Sequence, residues 1–158
     1  MNDDRLKIYL NDHLALLVAE TELAERCQRS NAHGPLGLFL RQLASELQVE
    51  QDLLRHMLKC VGTSESLVKQ GMAWLAEKAG RFKLNDALLE YSDLSRLVEL
   101  ETLCVAVGER EAFWQNLHAA RAADARLSHI NFARQQQQAQ THATILSEHR
   151  LEAATKAL

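Results

Sequence analysis

Leu36, Leu40, Leu43, Leu47, Glu50, Leu54, Met57 and Val61 recur at alternating spacings of four and three residues. That period places them on one stripe of an α-helix and is incompatible with the two-residue alternation of a strand. A helix with such a stripe must bury it against other helices, so the segment constrains the whole chain toward a bundle. Pro35 opens the pattern and Gly62 closes it, the expected first-turn proline and C-terminal glycine.

The rest of the chain agrees. Leucine occurs 28 times, whereas Val, Ile and Thr together number 16 and there is a single proline, too few β-branched residues for a sheet of any size. A first helix is expected from about Arg5 to Arg29, with Leu6, Leu10, His13, Leu17, Glu20, Ala24 and Cys27 in its stripe and Leu14, Leu16 and Leu23 widening it. The break at residues 30–35 makes the first two helices an antiparallel hairpin, with facing residue numbers expected to sum to about 63. A shorter helix is expected from Ser64 to Gly80, then an irregular connector to Tyr91. A helix capped by Ser92 is expected to end at Gly108, followed by a helical piece from Glu111 to Leu127. Ser128 is expected to cap a long last helix with Gln135, Ala139, His142, Leu146, His149 and Ala153 in its stripe. With 158 residues and no long linker, one domain spanning 1–158 is expected.

Charge and motifs exclude several function classes. A net charge of −3 from 18 basic and 21 acidic residues gives no basic stripe for nucleic acid. No apolar run reaches membrane-spanning length and no leader pattern is visible, so a cytoplasmic protein is the expectation. Three separated cysteines do not form a disulfide framework. No nucleophile elbow, P-loop or dinucleotide fingerprint is present. Asp52 and His56 read as an exposed pair one turn apart.

The informative departures are polar residues on apolar stripes. Glu20, Glu50 and Glu101 each interrupt a different helix, and His13, His142 and His149 lie on stripes as well. A lone ionised carboxylate in a dry core costs several kcal/mol unless it is paired or metal-bound. Three helices each contributing one therefore suggest a shared polar layer. Carboxylates and imidazoles converging in a bundle can hold two iron or manganese ions, but that ligand code needs Glu-x-x-His, which occurs nowhere here. Ion pairing with Arg26, Arg55 or Arg96 is the alternative use of the same carboxylates.

The segments Tyr9-Leu10-Asn11-Asp12-His13-Leu14, Gly80-Arg81-Phe82-Lys83-Leu84-Asn85 and Leu94-Ser95-Arg96-Leu97-Val98-Glu99-Leu100-Glu101 resemble a group of small bacterial ferritin-like proteins of uncharacterised activity. The resemblance implies an all-α, ferritin-like four-helix bundle with a helical crossover and an extra short helix. Within it, Arg81 and Lys83 are placed to clamp Glu99 or Glu101, as a tether or as an anion pocket. The functional expectation is a non-catalytic interaction or small-ligand-binding module without a complete two-metal site and without a cofactor. The alternative is a divergent carboxylate-bridged di-iron or di-manganese oxidoreductase. The long last helix, with its glutamines and alanines, offers a surface for a second copy of the chain.

Overall fold

The computed structural model describes residues 2–62, 91–120 and 124–158. Among them are four α-helices, a single 3-10 turn and no strand. Helix α1 spans Asp3–Ser30, α2 Gly34–Cys60, α3 Asp93–Ala120 and α4 Phe132–Ala157, with the 3-10 turn at Ala125–Leu127. No helix among the described residues is long and apolar enough to cross a membrane. The expected short helix at Ser64–Gly80, with Arg81 and Lys83, lies outside the described residues.

Local chemistry accounts for the helix ends. The Asn2 side chain accepts a hydrogen bond from the Arg5 amide and two aspartates fill the first turn of α1, which suits the positive end of the helix dipole. Pro35 occupies the first turn of α2, and Gly62 takes a φ of +79° just beyond its end, a conformation glycine adopts without steric cost. Ser92 Oγ accepts from the Ser95 amide at the start of α3.

Two expected boundaries are corrected. Helix α3 does not stop at Gly108 but continues to Ala120 as one rod. Gly108 is exposed with open space where a side chain would stand; a helical glycine costs about 1 kcal/mol, which the buried residues on either side of it outweigh. The last helix begins at Phe132, capped by Asn131, whose side chain accepts from the Arg134 amide. Ser128 instead closes the 3-10 turn through its amide to Ala125 O, because Leu127 and Ile130 are drawn into the core.

Contacts between helices fix their directions. Arg26 meets Glu99 and Tyr9 meets Asn116, so α1 and α3 are antiparallel. Glu46 meets His142 while Phe39 lies against His149, so α2 and α4 are antiparallel too. Helices α2 and α3 consequently run the same way. Val61 and Ser92 stand at opposite ends of the bundle, and the chain between them has to join those ends.

Within the first hairpin, Gln51 donates to Thr21 and Gln48 to Glu25. This register lies about two and a half turns from the expected one. The cause is visible at Gly37, where an added Cβ would meet Asn31 O at 2.2 Å and Ala32 C at 2.8 Å. The connector climbs along the first turn of α2 before reversing, and only glycine admits it.

The core joins all four helices. Leu10, Leu40, Leu43, Leu47, Met57, Leu100, Leu103, Trp114, Phe132 and Leu146 are fully enclosed. The two glycines of opposite environment give a paired prediction. Gly37→Ala should destabilise the fold by about 1–3 kcal/mol through overpacking, and Gly108→Ala should stabilise it by about 1 kcal/mol. Chemical denaturation of both variants checks this, and a neutral Gly37→Ala would contradict the close approach.

Candidate functional site

Seam carboxylates need a cation, and α3 supplies one. Arg110 follows Leu103 and Val107 and precedes Trp114 and Leu117 at four-three spacing, so the stripe carries it inward. Its side chain is 4% exposed, against 2% for Glu20 and 3% for Glu50. Arg110 Nε and Nη2 donate to Glu20 at 3.0 and 3.2 Å, while Nη1 donates to Glu50 Oε2 at 2.9 Å. The other Glu50 oxygen accepts from the Trp114 indole N–H.

The fourth helix completes the cluster. Arg110 Nη2 lies 3.1 Å from His142 Nδ1. A guanidinium only donates, so Nδ1 accepts and the ring proton sits on Nε2. From there it is donated to Glu46 Oε2 at 2.6 Å. Glu46 also accepts from Gln42 and Gln138. One continuous hydrogen-bonded chain therefore runs Glu20–Arg110–Glu50–Trp114 and Arg110–His142–Glu46, with a member on every helix.

Protonation follows from this geometry. Burial pushes Glu20 up to about 7 against the pull of Arg110. Burial likewise raises Glu50, opposed by Arg110 and the Trp114 hydrogen bond. Burial and the Arg110 charge lower His142 and keep it neutral. At Glu46 burial acts upward, but hydrogen bonds from Gln42, Gln138 and His142 outweigh it and hold the carboxyl below its usual range.

The expected site residues divide accordingly. Glu20, Glu50 and His142 meet in this cluster. Glu101 is exposed, a correction to its place in the seam: α3 is rotated so that Glu99 turns inward. Glu99 accepts from Arg26 at 2.8 Å and from the Tyr91 hydroxyl at 3.0 Å. Tyr91 accepts in turn from Asn31. His13 pairs with Glu109 at 2.8 Å and stacks on Phe113. His149 is half-buried near Phe39. Of the arginines expected to serve the seam glutamates, Arg55 binds Asp52 and Gln51, Arg96 binds Asp93 and Asn31, and Arg26 binds Glu99. Asp52 thus pairs with Arg55 rather than with His56.

The residues do not fit a bridged pair of metal ions. Both glutamates that meet are already ligands of one guanidinium, and a cation between them would displace it. Glu101 and His13 lie elsewhere.

Beside the cluster, a groove of about 790 Å³ opens between α1 and α3. Leu16, Leu23, Val98, Val105, Ala106 and Phe113 form much of its wall, and Glu20, Glu50 and Arg110 border it. Leu16, Val98 and Val105 are 48%, 51% and 75% exposed, an apolar strip left uncovered by the packing of α1 on α3. Glu20 and Glu50 in its lining are held by Arg110, and Glu99 by Arg26, while Glu22, Glu25 and Glu109 stand against Arg29 in the remainder, so that part of the lining is net acidic. Compared with family models, characterised proteins and solved structures, the chain matches none.

Two predictions follow from the cluster. Arg110→Met, which leaves two buried carboxylates without a cation, should cost about 3–5 kcal/mol. The triple variant Arg110→Met, Glu20→Met, Glu50→Leu should regain most of that, since a buried ion network is often no more stable than apolar packing; denaturant titration of both decides. For pH, Glu20 is raised from 4.5 to about 7. Its stabilising contribution is present below about 4.5 and is lost as pH rises through about 7. His142, lowered from 6.5, works in the opposite sense, losing stability as pH falls below its unfolded value. The stability of wild type relative to Glu20→Gln should therefore decline between pH 4.5 and 7; a rising difference would contradict it.

Proposed function

We propose that this chain is a ferritin-like bundle without a bridged two-metal centre, serving as a binding module. Its ligand is a small molecule with an apolar body and a cationic head, held in the groove between α1 and α3. The helix directions, with α2 and α3 parallel and one long connection between them, are those of ferritin-like bundles and support the fold reading. The groove carries the functional reading. Its volume falls in the range of small-molecule pockets, and such pockets combine apolar walls with a few polar groups.

The sign of the ligand's charge follows from the lining. Beyond the carboxylates held by Arg110 and Arg26, Glu22, Glu25 and Glu109 outnumber Arg29 in the lining, which disfavours an anion and favours a cation. Glu109 lies at the wall beside the stacked His13 and Phe113, where an ammonium would find both a carboxylate and an aromatic face. The apolar body would lie along Val98, Val105 and Leu16, covering surface now in water. Burial of that strip supplies affinity and the carboxylates supply selectivity.

Calorimetry with alkyl amines, alcohols and carboxylates of equal chain length tests this. The amine should bind, the alcohol more weakly and the carboxylate least, and Ala106→Trp should block the amine by filling the groove. Equal binding of all three head groups, or none by any, would overturn the reading.

A further inference from the structure

At the end of the bundle remote from Asn31, three side chains converge that neither the buried cluster nor the groove uses. His56 and Cys60 stand one turn apart near the end of α2, and His129 comes from the turn between the 3-10 segment and α4. The Nε2 atoms of His56 and His129 are 3.3 Å apart, and Cys60 Sγ lies 3.5 Å from His56 Nε2. All three donor atoms fall within 4.8 Å of one another.

We infer that His56, Cys60 and His129 form a binding site for one divalent cation of the zinc class, coordinated through Nε2, Sγ and Nε2. Zinc bonds of about 2.0–2.1 Å to nitrogen and about 2.3 Å to sulfur, at tetrahedral angles, give edges of about 3.3–3.4 Å between nitrogens and about 3.5–3.6 Å from nitrogen to sulfur. The two separations from His56 Nε2 match those edges. Hydrogen bonding alone accounts for them less well. His56 Nε2 faces both partners, and a ring nitrogen offers either one proton or one lone pair. A cation takes a lone pair from each of the three atoms at once.

The scaffold suits the purpose. His56 and Cys60 share one face of a regular helix, whose C-terminal end carries a partial negative charge that favours a cation. Leu127 and Ile130, both buried, flank the turn that carries His129, and the Ile130 amide bonds back to Leu127 O at 3.1 Å. Both histidines are exposed, so a metal has an entry path. Thiolate with imidazole selects zinc-like cations over magnesium or calcium, which prefer oxygen. Three protein ligands leave the fourth position to water or an exogenous ligand, the composition of open rather than closed zinc sites. Bound metal would also tie the end of α2 to the start of α4, so it should raise thermal stability.

The test uses the full chain, stripped with a chelator, and adds Zn²⁺ alone or Co²⁺ alone. Wild type should bind one equivalent of either ion, Zn²⁺ should raise the melting temperature, and Co²⁺ should give a thiolate-to-cobalt charge-transfer band. Cys60→Ser should lose that band, and Cys60→Ser and His129→Ala should each lose the Zn²⁺-induced shift. All three side chains lie at the surface or half-exposed, and circular dichroism verifies that the variants keep their helix content. No uptake by wild type, uptake unchanged in both variants, or cobalt binding without a thiolate band would each overturn the assignment. None of these outcomes bears on amine binding in the groove.

Discussion

A single guanidinium between two carboxylates is the constraint around which this bundle is arranged. Arg110 donates to Glu20 on α1 and Glu50 on α2, and contacts His142 on α4. Each of those groups alone would be costly at its depth, and together they satisfy one another. The cluster is consequently specific about geometry: a helix rotated by one residue would leave a charge unpaired in the core. Apolar packing supplies the bulk of the stability, while the ionic cluster selects which faces meet.

That selection explains where the groove falls. Besides their apolar contacts, α1 and α3 are bridged by Arg26 to Glu99 at one level and by His13 to Glu109 at another. Beside those bridges the groove opens, and Leu16, Val98 and Val105 remain uncovered along it. The same charges that hold the helices in register thus line an apolar slot with carboxylates. In the proposed reading, structure and recognition share one set of residues.

Much of the fold was legible because leucine periodicity is a strong signal. The stripes of α1, α2 and α4 are buried at Leu10, Leu47 and Leu146 as their spacing predicts. The two converging glutamates were also visible as interruptions of those stripes. Arg110 was hidden by a local rule applied where tertiary packing overrides it: reading Gly108 as a stop cut α3 before the four-three pattern from Leu103 to Leu117 could be followed. The stripe expected for α3 placed Glu101 inside, whereas the helix buries Glu99 and exposes Glu101. The hairpin register was misjudged because the close approach of Asn31 to Gly37 has no signature beyond a glycine near a helix start. His129 could not be joined to His56 and Cys60 from spacing, since they are brought together only by the docking of the 3-10 turn against α2.

The central claim concerns the Arg110 side chain, and its own protons report on it most directly. Nitrogen-edited NMR of the arginine Nε–H groups should show Arg110 exchanging far more slowly with solvent than the exposed Arg5 and Arg134. Its resonance should shift on Glu20→Gln, which alters the partner that Nε contacts. An Arg110 Nε–H that exchanges as fast as those surface arginines, and ignores the Glu20 change, would contradict a buried guanidinium organising the four helices.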